Sequence, residues 1–425
     1  MKRKLFWLIL LSAAVLALLT ACYYRPDEPT DAEQPAAVAP AEPAAPAEPA
    51  AEPAQPVVAE GLPAFTVSGS TDLPGNFYLS FVYSRNLIML DAQGNVVWSK
   101  HEDQPEGQHT GWWDFKKHVI DGVTYYSYHD QIAGYDNFGF AGFAPGDRVI
   151  LDADFNEVKR IRFEQSDTVE QGHPLDGHDF LLIDLDHYIM SGYLKDTVYN
   201  HPDYPEGASV VYSYLQEVDD GEVVWEWRSI DYPELYDLVV TDGSATANDF
   251  ANAQTDVPDI VHFNSMRLND EGDLVCSFRH LSTILCLDRT RSEDQIKWKL
   301  SGRGDEFGLA ENEKTSCQHY VTVEGDVITA FDNGNRDQTT HLRSYCIDPE
   351  HKTLKAVRTF DVPGKFSSAC GCAQHLYDET YMISWGCSEN DTECMSVFDF
   401  AAGEKLLAVS LDNKANFTYR CAYYD

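Results

Sequence analysis

The stretch LIMLDAQGNVVW, residues 87–98, contains the pattern that decides the fold. An apolar run ends at Asp91, a short turn rich in Asp, Asn and Gly follows, and a second β-prone run begins, which is typical of a β-hairpin. The pattern recurs along the chain, with the acidic anchor of each further copy at Asp152, Asp219, Asp288, Asp348 and Asp399. Successive anchors lie 61, 67, 69, 60 and 51 residues apart, so the repeat is regular.

A second alternating pair of runs precedes these hairpins, as in HYVTVEGDVITAF, residues 319–331. Four strands per unit, six units and almost no helical periodicity predict an all-β fold, a six-bladed β-propeller spanning residues 63–425. The alternative is a pair of β-sandwiches. The regular phasing of the hairpins favours the propeller.

The N-terminus is typical of a bacterial lipoprotein signal. Residues 2–4 are basic, residues 5–18 form a short apolar core, and Leu19-Thr20-Ala21-Cys22 resembles a lipobox in which Cys22 is lipidated. An uncleaved membrane anchor is the alternative, although the apolar run is short for a spanning helix. Either interpretation predicts an extracytoplasmic protein held at a bacterial membrane.

Residues 23–62 are predicted to form a tether, because residues 27–60 are a low-complexity mixture of Ala, Pro and Glu. Extended, such a segment spans roughly 100 Å. The whole chain is acidic, with 69 Asp and Glu against 31 Lys and Arg and a formal charge of −38. Such a surface repels phosphate backbones, so we expect no nucleic-acid partner. An anionic substrate would need positive charge supplied within its site.

A histidine recurs near the start of the strand before several hairpins. These residues are His118, His178, His262, His319 and His375. Because a propeller directs equivalent positions of its blades to one end of the axis, we expect them to meet in a single funnel. One such histidine is more often structural than functional, whereas several in phase favour a function.

Arg279 ends the strand DLVCSF that follows the His262 element. Its guanidinium stays charged and binds oxyanions in a forked geometry. Converging histidines suit either a metal ion, which a neighbouring cation opposes, or an anion. Arg279 therefore favours an anion site, with no metal and no cofactor.

Four segments carry a family resemblance: residues 176–188, 259–302, 317–348 and 367–386. They contain the elements HFNS, SFRHLS and QH…FDNG in this order. These segments resemble the bacterial aryl-sulfate sulfotransferase (arylsulfotransferase) family. The resemblance implies a six-bladed propeller that moves a sulfuryl group from a phenolic sulfate ester to a phenol acceptor without a nucleotide sulfate donor.

Carried over by motif, the resemblance implies that His319 is the nucleophile and becomes transiently sulfated. It implies that His178, His262 and Arg279 hold the sulfuryl oxygens. The predicted substrate-binding residues are Asn264, Asn333 and His375. Some family members carry an N-terminal β-rich domain that serves dimerisation, and little room precedes the first blade here, so a homodimer stays open.

Two other functions remain as alternatives. One is a non-catalytic surface propeller that binds sulfated or phenolic ligands or a protein partner, and the other is an aryl-sulfate hydrolase. Residues 231–259 break the strand pattern and predict either a surface loop or a lid over the funnel. Nine cysteines follow Cys22, an odd number, and the pairs Cys387–Cys394 and Cys276–Cys286 have spacings that suit disulfides.

Overall fold

The computed structural model describes residues 56–57, 61–104, 108–135, 142–201, 203–240, 259–414 and 416–425. Six β-sheets built from 27 strands form the six-bladed propeller, which confirms the predicted fold class. The predicted signal sequence, Cys22 and residues 23–55 of the tether lie outside the described residues. Within the described ranges, no helix is long and apolar enough to cross a membrane.

The blades follow the order of the chain. Blade 1 contains β3 (Asn76–Ser80), β4 (Asn86–Leu90) and β5 (Val96–His101). Blade 2 contains β6 (Trp112–Ile120), β7 (Val123–Gln131), β8 (Pro145–Leu151), β9 (Glu157–Ile161) and the short β10 (Leu175–Asp176). Blade 3 contains β11 (Phe180–Leu182), β12 (His187–Val198), β13 (Ala208–Asp219) and β14 (Glu222–Arg228).

The second half of the ring repeats this plan. Blade 4 contains β15 (Phe263–Leu268), β16 (Leu274–Phe278), β17 (Thr283–Leu287) and β18 (Ile296–Leu300). Blade 5 contains β19 (His319–Glu324), β20 (Val327–Asp332), β21 (His341–Asp348) and β22 (Thr353–Asp361). Blade 6 contains β23 (Cys372–Tyr377), β24 (Thr380–Ser384), β25 (Glu393–Asp399) and β26 (Glu404–Leu411). Short 3₁₀ helices span Ser229–Asp231, Pro233–Leu238 and Arg279–Leu281.

Both ends of the propeller sequence close the ring. β27 (Cys421–Tyr424) pairs with β3 and supplies the fourth strand of blade 1. At the other end of the sequence, β2 (Phe65–Gly69) pairs with β26 in blade 6, and β1 (Pro56–Val57) pairs with β2. These pairings bring the two ends of the propeller sequence into the neighbouring blades 1 and 6 and so close the ring.

The repeated acidic anchors lie at the hairpin between the third and fourth strands of each blade, as predicted. The Asp91 carboxylate accepts the main-chain N–H groups of Gln93 (2.9 Å) and Asn95 (2.8 Å), which fixes the turn. The third copy uses a different turn, in which Asp220 (φ 51°) and Gly221 (φ 79°) are both left-handed. The two turns therefore reverse the direction of the chain in the same way.

Apolar side chains fill the spaces between neighbouring blades. Trp227 at the end of blade 3 packs against Phe278 of blade 4, with ring centroids 5.3 Å apart, and both are buried. Burying a side chain of this size stabilises the fold by roughly 2–3 kcal/mol. Such packing sets the position of each inner strand relative to the axis and so positions the residues at its start.

Candidate active site

Three predicted histidines meet where the inner strands of blades 3, 4 and 5 begin. His178 precedes β11 by two residues, His262 directly precedes β15, and His319 is the first residue of β19. The rings of His178 and His262 lie 5.0 Å apart. Tyr419 lies against two of them, with centroids 5.2 Å from His178 and 6.3 Å from His319. All four residues are nearly or fully buried.

Irregular backbone geometry presents these side chains. Register shifts interrupt the pairing at the start of β15, between Phe263 and Ser265, and at the start of β19, between His319 and Val321. His262 itself has a left-handed φ of 48°. Bulges and positive φ at non-glycine residues redirect side chains and cluster near functional sites.

His319 is held as a neutral ring. Its Nδ1 lies 2.7 Å from Oδ1 of Asn333, and Nδ2 of Asn333 donates to the main-chain oxygens of Ser367 (2.8 Å) and Cys370 (3.1 Å). Oδ1 is therefore an acceptor, Nδ1 carries the proton, and Nε2 accepts the Cys370 N–H at 3.2 Å. Burial lowers the pKa of His319 well below its usual range, and the charge of Arg279 lowers it further. The imidazole keeps a lone pair on Nε2.

His178 is supported by a carboxylate instead of an amide. Its Nδ1 bonds to Oδ1 of Asp176, which also accepts the main-chain N–H of His178 at 3.0 Å. The other carboxylate oxygen accepts the Ala144 N–H at 2.7 Å. Burial opposes ionisation of Asp176, but the nearby His178 and the hydrogen bond from its ring outweigh burial and lower the pKa of the Asp176 carboxyl. A carboxylate on Nδ1 stabilises a protonated imidazole.

His262 has the same kind of support. Its Nδ1 lies 2.5 Å from Oδ2 of Asp259, and His280 stacks on its ring at 4.5 Å while bonding through Nδ1 to the Asp259 main-chain oxygen at 2.8 Å. Burial raises the pKa of Asp259 to about 6. Burial also lowers the pKa of His262 well below its usual range, and His178 adds to this effect. The Asp259 carboxylate therefore orients the ring of His262.

Asp259, His262 and His280 are also the one group in the described ranges whose donor atoms lie close enough to hold a metal ion, within 4.8 Å of one another. The direct hydrogen bond between Asp259 and His262 accounts for their approach without an ion. The absence of a metal from the mechanism stays a prediction.

Arg279 brings positive charge to the histidines. It is 8% exposed, begins the 3₁₀ helix after β16, and donates its main-chain N–H to the oxygen of His262 at 2.9 Å. Its Nη2 lies 3.3 Å from the main-chain oxygen of Ser368 in the loop before β23. The charge of Arg279 lowers the pKa of His262, His280 and His319. The guanidinium is therefore close enough to bias all three rings toward the neutral form.

Asn264 lies fully buried beside this group. Its Nδ2 donates to the main-chain oxygen of Gln318 (2.8 Å), the residue before His319. Its Oδ1 has no hydrogen-bond partner within the described part of the chain. A buried acceptor without a donor is costly, and the role of Asn264 in substrate binding stays a prediction.

Aromatic rings surround the histidines. Trp113 stacks on Tyr419 at 5.1 Å and lies 6.1 Å from His178, while Tyr193 stacks on His262 at 5.3 Å. These buried rings pack against one another and against the histidines, and they fix the positions of the imidazoles.

A buried ionic cluster ties the inner strands together next to the site. It consists of Asp114, Lys116, Arg148, Asp179, Arg267 and Arg420. Four cations share two carboxylates, so the cluster carries net positive charge within an acidic protein. Asp179 and Arg420 directly follow His178 and Tyr419, so neighbouring residues alternate between the site and the cluster. Sequence reasoning missed this cluster, because its members are scattered along the chain.

The structure does not bring His375 or His118 to the site. His375 lies at the end of β23, where Nε2 is 2.9 Å from the Asp378 oxygen and Nδ1 is 3.7 Å from Glu324, at the far end of β19 from His319. Five residues of strand separate Glu324 from His319, roughly 16 Å. The expectation that His375 meets the other histidines was therefore wrong, and its role as a substrate-binding residue stays a prediction.

The physical reason lies in the distance from the hairpin. His319 is five residues before the end of its strand, whereas His375 is only two residues before Tyr377, so Cys372 occupies the equivalent position in blade 6. His118 likewise lies late in β6, where its Nε2 is 2.7 Å from Oγ of Ser127. Counting back from the turn, rather than aligning the histidines, would have separated these two from the others.

Sequence reasoning also missed Asp176, Asp259 and His280. The spacings Asp-x-His (176–178) and Asp-x-x-His (259–262) were the available signal. The described part of the 231–259 segment, residues 231–240, forms 3₁₀ turns, and its Val240 N–H bonds to the His280 oxygen at 2.9 Å. The predicted lid concerns mainly residues 241–258, which lie outside the described residues.

Comparison with known proteins gives one family match. The model of the family described as Arylsulfotransferase (ASST) matches residues 132–388, more than half of the chain. A search of curated proteins gave no match.

Three solved structures illustrate the distant structural similarity of this chain to other proteins. A protein of unknown function from Bacteroides caccae is 9% identical, with 83% of this chain and 99% of that chain covered and a TM-score of 0.44. A Streptogramin B lyase structure is 9% identical, with coverages of 83% and 89% and a TM-score of 0.38. A protein from Lactobacillus plantarum is 10% identical, with coverages of 79% and 82% and a TM-score of 0.38. These TM-scores are too low to support an inference about this chain.

Proposed function

Because the chain belongs to the arylsulfotransferase family, we propose that it transfers a sulfuryl group from a phenolic sulfate ester to a phenol acceptor. The transfer passes through a sulfated His319 and uses no nucleotide sulfate donor. The observation that carries the proposal is the environment of His319, which combines a neutral ring, a proton fixed on Nδ1 and a cation nearby.

In the first half-reaction, Nε2 of His319 attacks the sulfur of the donor ester. A nitrogen–sulfur bond forms, the bond between sulfur and the aryl oxygen breaks, and the phenoxide leaves. A neutral imidazole is a good nucleophile near neutral pH, and a covalent intermediate divides one difficult step into two easier ones. The hydrogen bond from Asn333 to the loop carbonyls keeps the ring in the required tautomer.

Arg279 offsets negative charge on the sulfuryl oxygens as the transfer proceeds. Sulfuryl transfer resembles phosphoryl transfer, in which positioning and charge stabilisation supply most of the catalysis. The buried ionic cluster adds net positive charge from the side of the axis, and it supports an anionic substrate in a protein that is otherwise strongly acidic.

His178 and His262 serve as the acid and base. One of them donates a proton to the departing phenoxide and then accepts the proton of the incoming phenol, whose oxygen attacks the sulfur and releases His319. Their carboxylate partners, Asp176 and Asp259, hold the two rings through Nδ1.

Phenolic product release from 4-nitrophenyl sulfate tests the proposal, measured with and without a phenol acceptor. Release that depends on the acceptor supports transfer. Release at the same rate without acceptor indicates a hydrolase, and no release indicates a binding protein. After brief exposure to donor alone, mass spectrometry is expected to show one added sulfuryl group on the intact protein. After digestion, the group is expected on the peptide containing His319.

We also place the propeller outside the cytoplasm, held to a membrane through lipidated Cys22 and the Ala/Pro/Glu tether. Cys22→Ser is expected to abolish incorporation of a labelled fatty acid and to release the protein from the membrane fraction. Retention of the label would contradict the lipobox assignment.

A further inference from the structure

Two cysteines meet at the edge of the site, Cys370 in the loop before β23 and Cys387 in the loop between β24 and β25. The Sγ atoms of Cys370 and Cys387 lie 3.8 Å apart in a thiol–thiol hydrogen bond. The backbone of Cys387 is also paired with the two residues before Cys370, because the Ser368 N–H bonds to the Cys387 oxygen (3.1 Å) and the Cys387 N–H bonds to the Ala369 oxygen (3.0 Å). The two thiols are therefore held side by side by main-chain hydrogen bonds.

Gly386 permits this close approach. Its φ is +54°, and a Cβ atom there would lie 2.6 Å from Cβ of Cys370. A larger residue at position 386 would push the segments that carry Cys370 and Cys387 apart.

The Cys370 backbone is in turn bonded to the proposed nucleophile. Its N–H donates to Nε2 of His319 at 3.2 Å, its oxygen accepts from Asn333, and the next N–H, of Gly371, bonds to the Tyr419 oxygen at 2.9 Å. Cys370 has a left-handed φ of 62°, which turns its N–H toward the histidine. A covalent change at the Cys370 thiol therefore affects the residue whose main-chain N–H binds the reacting nitrogen of His319.

We propose that Cys370 and Cys387 form a disulfide that clamps the Cys370 main-chain N–H onto His319. The oxidant is a low-molecular-weight disulfide such as oxidised glutathione. The Cys387 thiolate attacks it and releases one thiol, and the Cys370 thiolate then attacks the mixed disulfide and releases the second thiol. Two protein thiols thus lose two hydrogens, and one glutathione disulfide becomes two glutathione molecules.

Access favours Cys387 as the first cysteine to react. It lines a surface pocket together with Lys414 and Phe417. The contact with Cys387 and burial both raise the pKa of the Cys370 thiol. Cys370 therefore serves better as the second thiol, which needs only to reach a sulfur that is already next to it.

The cysteine pairs expected from spacing do not offer this arrangement, and the thiol of Cys394 instead meets that of Cys421, where both residues are buried. In the β16–β17 pairing, Cys276 lies opposite Leu285 and Cys286 opposite Val275, so the two thiols project from opposite faces of the sheet. Cys394 is buried, with its thiol bonded to the Val409 oxygen at 3.4 Å. The pairs Cys276–Cys286 and Cys387–Cys394, expected from spacing, are therefore not the ones brought together.

The consequence for the enzyme rests on the proposed function. The lone pair of His319 Nε2 must leave the Cys370 N–H before it attacks sulfur. A crosslink at Cys370 holds the N–H in place, and we expect the oxidised protein to become sulfated on His319 roughly tenfold more slowly than the reduced protein, the effect of about one hydrogen bond.

Crosslink mapping of the full-length protein tests the disulfide directly. The protein is incubated with oxidised glutathione or with dithiothreitol, alkylated, digested and analysed by mass spectrometry. A crosslinked peptide pair containing Cys370 and Cys387 is expected only after oxidation. Cys387→Ser removes it, whereas the matched variant Cys346→Ser, at a partly exposed cysteine of blade 5, retains it. Alkylated thiols at both Cys370 and Cys387, in oxidised protein that carries glutathione at Cys346, would overturn the proposal.

A second readout separates this inference from the proposed function. Hydrogen exchange of the peptide covering residues 366–371 is expected to be slower in oxidised than in reduced wild-type protein, and unchanged by oxidation in Cys387→Ser. This result needs no substrate. If the crosslink and the protection appear but His319 is never sulfated, the clamp stands and the sulfotransferase function fails. Equal exchange in both redox states would refute the clamp.

Discussion

The two sides of the histidine cluster differ in the group that holds Nδ1. On the side of blade 5, the amide of Asn333 binds His319, and the amide itself is fixed by two main-chain oxygens. On the side of blades 3 and 4, carboxylates bind His178 and His262. An amide oxygen favours a neutral imidazole that keeps a lone pair on Nε2, whereas a carboxylate favours a ring that gains and loses a proton. Under the proposed function, this difference divides one cluster into a nucleophile and its acid–base partners.

Removing His319 is expected to have the largest effect. His319→Ala deletes the nitrogen that bonds to sulfur, and we expect acceptor-dependent turnover to fall by roughly 10⁴-fold or more. Steady-state assay with 4-nitrophenyl sulfate measures it, and an unchanged circular dichroism spectrum controls for folding. Activity close to wild type would remove His319 from the mechanism.

Arg279 offers the next largest effect. Arg279→Gln keeps a side chain of similar length but removes the charge, and we expect kcat to fall on the order of 10²–10³-fold. Arg279→Lys is the matched control and should recover part of the loss, since it restores the charge without the forked geometry. Equal activity in wild type and Arg279→Gln would show that the charge does not act on the transferred group.

Exchanging the amide for a carboxylate tests the comparison itself. In Asn333→Asp, a negative charge lies beside His319 and raises its pKa, so Nε2 becomes protonated at neutral pH. We expect a loss of roughly 10²-fold at pH 7 that is partly regained as the pH rises. A pH–rate profile that keeps the wild-type shape would show that Asn333 does not set the tautomer.

The reverse exchange, of the Asp259 carboxylate for an amide, is expected to have a smaller effect on the rate and to change its dependence on acid pH. Burial raises the pKa of Asp259 to about 6, so the carboxylate is protonated as the pH falls through this value and loses the charge that supports His262. The wild-type rate should therefore decline below about pH 6. Asp259→Asn should lower the rate at pH 7.5 by roughly tenfold, the cost of a charge-assisted hydrogen bond, and remove this acid limb. An unchanged limb in the variant would assign it to another group.

His375 provides the smallest effect and a control for the others. It lies at the far end of the inner strands, so His375→Ala should leave kcat and KM within about twofold of wild type and change the free energy of unfolding by no more than about 0.5 kcal/mol. A large loss of activity with normal stability would return His375 to the substrate site.

Much of the architecture was readable from the repeated hairpins. The Asp anchors recur because a carboxylate at the end of a strand binds the turn that follows, a local interaction that leaves the same signature in each blade. The position of His319 at the start of an inner strand could be predicted for a similar reason, because a regular strand and its hairpin turn follow it directly. His375 was misplaced because an identical residue type at a different distance from the turn points to a different level of the propeller.

The partners of the histidines were less accessible to sequence reasoning. Asp176 and Asp259 lie within three residues of the rings that they support, and the spacing alone did not distinguish them from ordinary acidic residues in a chain with 69 of them. The Asn333 bond to His319 joins two strands across a hairpin, and Cys370 comes from the next blade.

The amino-acid sequence by itself determined the number of blades and the phase of the three site histidines, because strand alternation and turn formation depend on neighbours along the chain. Only the tertiary structure decided which side chain faces each ring nitrogen, where four buried cations meet two carboxylates, and which thiols touch. Those contacts join residues tens to hundreds of positions apart, and they exist only once β27 closes the ring and the blades fix the inner strands around one axis.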